Sequence, residues 1–313
     1  MRPQANVHFG GDLTERLISV TVETRTAPGV DVADLRIAAG DGIPSVGDAG
    51  TIELGYDAPS TVFTGTVDSV ALGVHGVVRV LAANGGAALA RLRVNRAYEQ
   101  QKAGDVVSDL AGEAGASTGD VRPGADLPYF VVDDRRGGWT QIAELAALSG
   151  CLAFVTPDGD VTMAPPAAGP PSRTFARGTD ILELSAGERS PAVGAVTVIG
   201  EGAAGSQGTD AWSWLVKDPS PVSGTGTADG PERLRSEPAL RSAAAVQTAA
   251  LGVPTGAVAG HVLVPGAEDV AVGGAILVTD ADVDGPLLVQ GVRHHFSRTE
   301  GFTTRIRFVA AGP

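Results

Sequence analysis

The chain has 313 residues, long enough for two or three domains, and 43% of them are hydrophobic, enough to fill real cores. Its 36 acidic and 23 basic residues leave a net charge of -13, which weighs against nucleic acid as a tight partner and against anionic membranes. One cysteine, Cys151, excludes an internal disulfide and any multi-cysteine zinc site, and no apolar run reaches the length of a membrane span. Met1 to Asn6 lacks the apolar core of a signal peptide, so synthesis and folding in the cytoplasm are expected.

From Arg16 to Leu81 the pattern has period two, with β-branched residues between glycine and proline punctuation. It predicts strands over Leu17–Val22, Ala33–Ala38, Thr51–Leu54, Thr61–Leu72 and Val77–Ala82, with a hairpin turn at His75-Gly76. After Asn84 the texture changes. A short helical or turn segment at Ala87–Leu92 precedes a helix capped by Asp105, with Val106, Val107, Leu110, Ala111 and Ala114 as its apolar face and Gly115 as its stop. A strand over Leu127–Val132 and a helix carrying Trp139, Ile142, Leu145 and Ala146, ended by Gly150, come next. Leu152–Val155 and Val161–Met163 flank Pro157-Asp158-Gly159, a strong hairpin signal. Residues 164–171 are too rich in proline for helix or central strand. Strands are expected again at Ile181–Leu184 and Val193–Ile199, with one more at Trp212–Val216 inside a Gly/Ser-rich loop, 201–231. An alanine-rich helix at 239–251 leads to the last strands.

Those last strands restate the first ones. Val46-Gly47-Asp48, the run Thr51–Leu54 and then Val62–Val70 reappear as Val272-Gly273-Gly274, Ala275–Val278 and Leu288–His295. Eighteen positions separate Gly47 from Gly65 and Gly273 from Gly291, and a further alternating strand follows in each copy. A duplicated β-unit points to assembly before chemistry.

No catalytic or metal constellation emerges. His294 and His295 are adjacent, so on a strand they face opposite ways, while His8, His75 and His261 have no ligand partner at useful spacing. Asp280, Asp282 and Asp284 lack the glycine and terminal glutamate of an EF-hand loop and read as a solvated hairpin tip. Asp133-Asp134-Arg135-Arg136 precedes a helix, where aspartates favour the N-terminal dipole. Gly85-Gly86 and Gly137-Gly138 are too short to cradle phosphate. Cys151 lies in an apolar run and reads as a buried small hydrophobe. No catalytic residue, metal site or cofactor is therefore expected.

Val62-Phe63-Thr64-Gly65-Thr66-Val67, a polar insert, Gly138–Ala146 and the Asp158-Gly159 hairpin together resemble the baseplate hub of contractile phage tails. The late control D proteins, the hub part of VgrG proteins of type VI secretion, and extracellular contractile injection systems share this arrangement. The ending Leu288–Phe296 followed by Gly301-Phe302-Thr303-Thr304 is similar to the family's last hairpin. The resemblance implies a mainly β fold with an α+β insert and two tube-like β-barrel domains per chain, forming a pseudo-six-fold ring as a homotrimer. It implies a first barrel at 1–89, an α+β insert at 90–165, a Pro-rich connector at 166–178 and a second barrel at 179–313. A structural, non-enzymatic hub is expected, joining a hexameric inner-tube protein to a trimeric spike alongside other baseplate components. Because the chain stops at Pro313, the spike is expected to be a separate polypeptide. Assembly in the cytoplasm into a virion or tail-like particle is implied, with no insertion into a membrane before firing. Barrel or interface roles fall on Phe63, Gly65, Val67, Val289, Gly291 and Val292. The alternatives are a tail-tip cell-wall hydrolase and a distal tail adaptor of a non-contractile tail.

Overall fold

The structure, a computed structural model, describes residues 2–166, 170–188, 196–200, 223–226, 233–237, 247–248, 258–281, 283 and 285–310. The strand expected at Trp212–Val216 and most of the loop 201–231 lie outside these residues, as do Asp282, Asp284 and all of the 239–251 helix except 247 and 248, which are helical.

The first half begins with β1 (Gln4–Phe9), a strand that the period-two reading did not include, followed by β2 (Leu17–Arg25) and β3 (Val32–Ala38). Next come β4 (Ala49–Gly55), β5 (Ser60–Leu72) and β6 (Val77–Ala83). His75 and Gly76 both adopt positive φ in the turn before β6. The strands pair in the order β1-β4-β5-β6-β3-β2. Alternation turns Val20, Val22, Leu35, Ile37, Ile52, Phe63 and Val80 into one core and leaves the intervening polar residues outside.

Asn84 ends this half, its Oδ1 accepting the Gly86 N–H at 3.0 Å to cap α1 (Gly85–Arg91). Leu89, at the expected boundary, packs in the insert's core. The insert continues with β7 (Arg96–Lys102), α2 (Ala103–Glu113), β8 (Thr118–Val121) and β9 (Asp126–Val132). It ends with α3 (Gly138–Leu148), β10 (Leu152–Val155) and β11 (Val161–Ala164). Asp105 sits inside the first turn of α2 rather than at its cap, and its carboxylate accepts the Lys102 N–H at 3.3 Å. The fully buried Trp139 donates from Nε1 to the Gly29 carbonyl at 2.8 Å, tying the insert to the β2–β3 loop.

The segment expected as a connector contains β12 (Arg173–Ala176), followed by β13 (Glu183–Glu188). The prolines end before Arg173, and its alternating side chains then pair in parallel with β18 (Ala275–Thr279). Between them in the chain lie a small sheet of β14 (Val196–Gly200), β15 (Ser223–Gly226) and β16 (Arg233–Glu237), and then β17 (Val258–Pro265). The chain closes with β19 (Leu287–Ser297) and β20 (Gly301–Ala310). Pairing runs β12-β18-β19-β20-β17-β13, which repeats the order β1-β4-β5-β6-β3-β2 strand for strand. The duplication therefore covers a whole six-stranded unit, with one change: β1 is antiparallel to β4, whereas β12 is parallel to β18.

The two units are not separate. β2 pairs with β19, so both belong to one 12-stranded sheet, and Phe296 and Phe302 from the second unit are buried in the core of the first. Among the described residues no ring of strands closes, because the path runs from β1 to β13 with both ends open. Where two barrels are expected, the described residues form two six-stranded units that share one open sheet.

Candidate assembly interface

The joint between the units depends on a bulge. β19 pairs with β18 only through Leu287 and Leu288, then bulges at Gln290, and from Gly291 to Ser297 it pairs with β2 on one side and β20 on the other. β5 has the same device: it pairs with β4 up to Thr66 and its register against β6 shifts at Asp68. The turn glycines match too. Gly47 and Gly273 both have positive φ and donate to the carbonyls of Val67 and Val289 at 2.9 Å. Val67 and Val289 donate back to Asp48 and Gly274 at the same distance.

This geometry makes Val67 equivalent to Val289 and Ser69 to Gly291. The equal glycine spacing is coincidental. Gly65 lies two residues before its valine and Gly291 two residues after its own, because the second hairpin has fewer paired rungs and a shorter course from glycine to valine. The two glycines also do different jobs. A Cβ on Gly65 would meet the Ala83 carbonyl oxygen at 2.5 Å and the Phe63 ring at 2.7 Å, whereas on Gly291 the nearest atom is the Thr24 oxygen at 3.2 Å. Gly65→Ala is expected to lower stability by about 1–3 kcal/mol through overpacking, and Gly291→Ala by clearly less, as urea unfolding of both variants would read. Equal losses would contradict the difference in packing. Phe63, Val67, Val289 and Val292 are all buried inside the chain, where they pack in the cores of the two units.

Several titratable groups singled out in the sequence are held by burial or by ion pairs. His294 is buried, with Nδ1 3.0 Å from Thr304 Oγ1, and burial pushes its pKa down to about 4. His295 points the other way, to Thr21 and Glu300. Burial raises the Cys151 thiol, which disfavours a reactive thiolate. Asp133 is held by Arg135 and Arg136, the Arg135 side-chain bond first among the causes that lower its pKa. Asp280 sits at the tip after β18 with positive φ. Among the described residues no three His, Cys, Asp or Glu side chains group as a metal site, and no helix is long and apolar enough to cross a membrane.

No protein-family model and no curated protein sequence matches this chain. Solved structures do. The 43 kDa tail protein of prophage MuSo2 from Shewanella oneidensis superposes with a TM-score of 0.71 over 98% of both chains, at 12% identity. The tail protein from Neisseria meningitidis MC58 gives 0.73 over 99% of this chain and 96% of that one, at 15% identity. The chain has a phage tail-protein fold. A third similar structure is the E. coli c3393 protein, described as a component of the type VI secretion system with structural similarity to T4 bacteriophage tail proteins. It matches at a TM-score of 0.61 and 10% identity over 95% of this chain and 74% of that one.

Within this tail-protein fold two edges stand out. Beyond Val67, β5 pairs among the described residues only with β6, whereas the equivalent stretch of β19 also holds β2. Among the described residues β13, the equivalent of β2, pairs only with β17. Registers connect the two places: Val20 leads through Leu35 and Val80 to Val70, and Leu184 leads through Val262 and Ile306 to Val292. The apolar side chains beside these edges are in water: Leu72 is 76% exposed, Val74 80% and Leu182 61%. A strand edge left open presents N–H and C=O groups on which another strand can pair.

Proposed function

We propose that this protein is a structural, non-enzymatic hub of a contractile tail or injection particle, acting as a homotrimer between a hexameric inner tube and a separate trimeric spike. The observation that carries this reading is the internal joint, in which the second strand of one unit completes the bulged fifth strand of the next. Repeating that joint between chains would set β13 of one copy against the open stretch of β5 in its neighbour. The internal pair His294–Val22 then becomes Leu72 opposite Ala186, and Val292–Thr24 becomes Val70 opposite Glu188. Three internal and three intermolecular joints would place six equivalent units around one axis, matching a six-fold tube while the chain count stays three-fold. The tail-protein fold supports a place in a tail-like particle, with other baseplate components as neighbours. Assembly would take place in the cytoplasm, and neither nucleic acid nor membrane is a direct partner in this scheme.

Multi-angle light scattering of the chain, alone and mixed with a tube subunit, is expected to give the mass of three copies in at least one condition. Ala186→Pro, which removes an edge N–H without touching the core, is expected to reduce that mass to one folded copy. A monomer in both conditions overturns the hub reading. A trimer indifferent to Ala186→Pro overturns the β13–β5 joint alone.

A further inference from the structure

The outward face of the shared sheet carries a charge cluster that the assembly scheme does not use. Gly291 contributes no side chain, and its neighbours across the sheet are Arg25 on β2 and Arg307 on β20. Two residues along β19, Arg293 stands between Glu23 and Arg305. Glu23, Arg25, Arg293, Arg305 and Arg307 line a hollow of about 200 Å³ above this floor. Glu23 binds Arg25 at 2.5 Å and Arg293 at 3.4 Å, and Arg305 takes Glu183 at 3.0 Å. Among the described residues Arg307 has no ion-pair partner. Four guanidiniums against two carboxylates leave two positive charges in a chain whose net charge is -13.

Like charges directly opposite one another, as Arg293 and Arg305 are, destabilise a sheet, and Glu23 and Glu183 offset only two of the four positive charges here. Guanidinium groups offer only donors, in a planar fork that fits the oxygens of a phosphate. We infer that the hollow over Gly291 is a binding site for a doubly charged tetrahedral oxyanion, a phosphate or phosphoryl group. Arg25 comes from the first unit and the other three arginines from the second, so the bound anion ties the two units together at their joint.

Calorimetric titration of the full chain with inorganic phosphate and with phenyl phosphate, at ionic strength matched by chloride, tests the site. Saturable binding near one anion per chain is expected, with a rise in the thermal midpoint over the chloride control. Arg307→Gln and Arg293→Gln are each expected to weaken binding at least tenfold while circular dichroism stays unchanged. Arg36→Gln, on the same sheet face but outside the hollow, should bind as the parent does. Binding of both anions identifies free phosphate as sufficient, and binding of phenyl phosphate alone identifies a phosphoryl group on a larger molecule. Either result upholds the site. Absence of saturable binding, or an equal loss in Arg36→Gln, overturns it. The readout concerns one chain and is independent of whether three chains assemble.

Discussion

Trp139→Ala is expected to lower the stability of the chain by about 3–5 kcal/mol, the usual cost of removing a buried large aromatic side chain. The indole is 1% exposed and lies in the core of the insert, with Gly86 packed so closely that a Cβ there would sit 3.4 Å from Nε1. Its N–H is also the bond that reaches Gly29 in the first unit, 110 residues away. Alanine therefore opens a cavity and leaves a carbonyl without its partner, two separate penalties. Trp139→Phe separates them: the ring stays, the N–H goes, and the loss should fall to about 1–3 kcal/mol. Urea unfolding of the three proteins reads both terms. A loss below about 1 kcal/mol for alanine would mean that the insert does not depend on this anchor.

What the sequence shows well is what local physics determines. Alternation located β2 to β6 to within a few residues, because one face of each strand is buried and the other is wet. His75-Gly76 and Asp158-Gly159 were legible as turns for the same local reason, and Gly159 has the positive φ such turns require. β1 was not legible: Gln4–Phe9 looks polar, yet its alternate residues Ala5, Val7 and Phe9 are buried by pairing with β4, some forty residues on. β12 was hidden by the prolines before it, and its parallel partner β18 lies about a hundred residues away.

The candidate site was legible only as a repeat. Gly47 and Gly273 are equivalent but Gly65 and Gly291 are not, and the side chains beside the latter pair are core. The equivalent features are bulges at Asp68 and Gln290, which have no sequence signature because a bulge is defined by the strand opposite it. The arginines around Gly291 come from three strands, and only the β2–β19 pairing brings Arg25 beside Arg307. A chain with an overall negative charge conceals such a patch in its average.

The pH dependence of stability should hide two large opposing slopes. Asp31 is 2% exposed, accepts from the Arg25 N–H and from Asn84 Nδ2 at 2.7 Å each, and burial pushes its pKa up to about 7 from an ordinary 3.8. Between those values the unfolded chain has released this proton and the folded chain keeps it, so the stability from Asp31 is full below pH 3.8 and is lost as pH rises towards 7. His294 does the reverse. Its pKa falls from 6.5 to about 4, so the unfolded chain binds a proton that the folded chain refuses, and stability is full above pH 6.5 and lost as pH falls towards 4. At about 1.4 kcal/mol per pH unit, each slope amounts to roughly 3 kcal/mol over the shared window, with opposite sign. The parent chain should therefore be nearly level from about pH 4 to about pH 6.5. Asp31→Asn is expected to expose the histidine and gain about 3 kcal/mol on going up through that window, while His294→Gln loses a similar amount. Each substitution also lowers stability at every pH by disturbing its hydrogen bonds, so the slope and not the absolute value is the readout. Three parallel profiles in urea unfolding across the window would show that neither group titrates as its burial dictates.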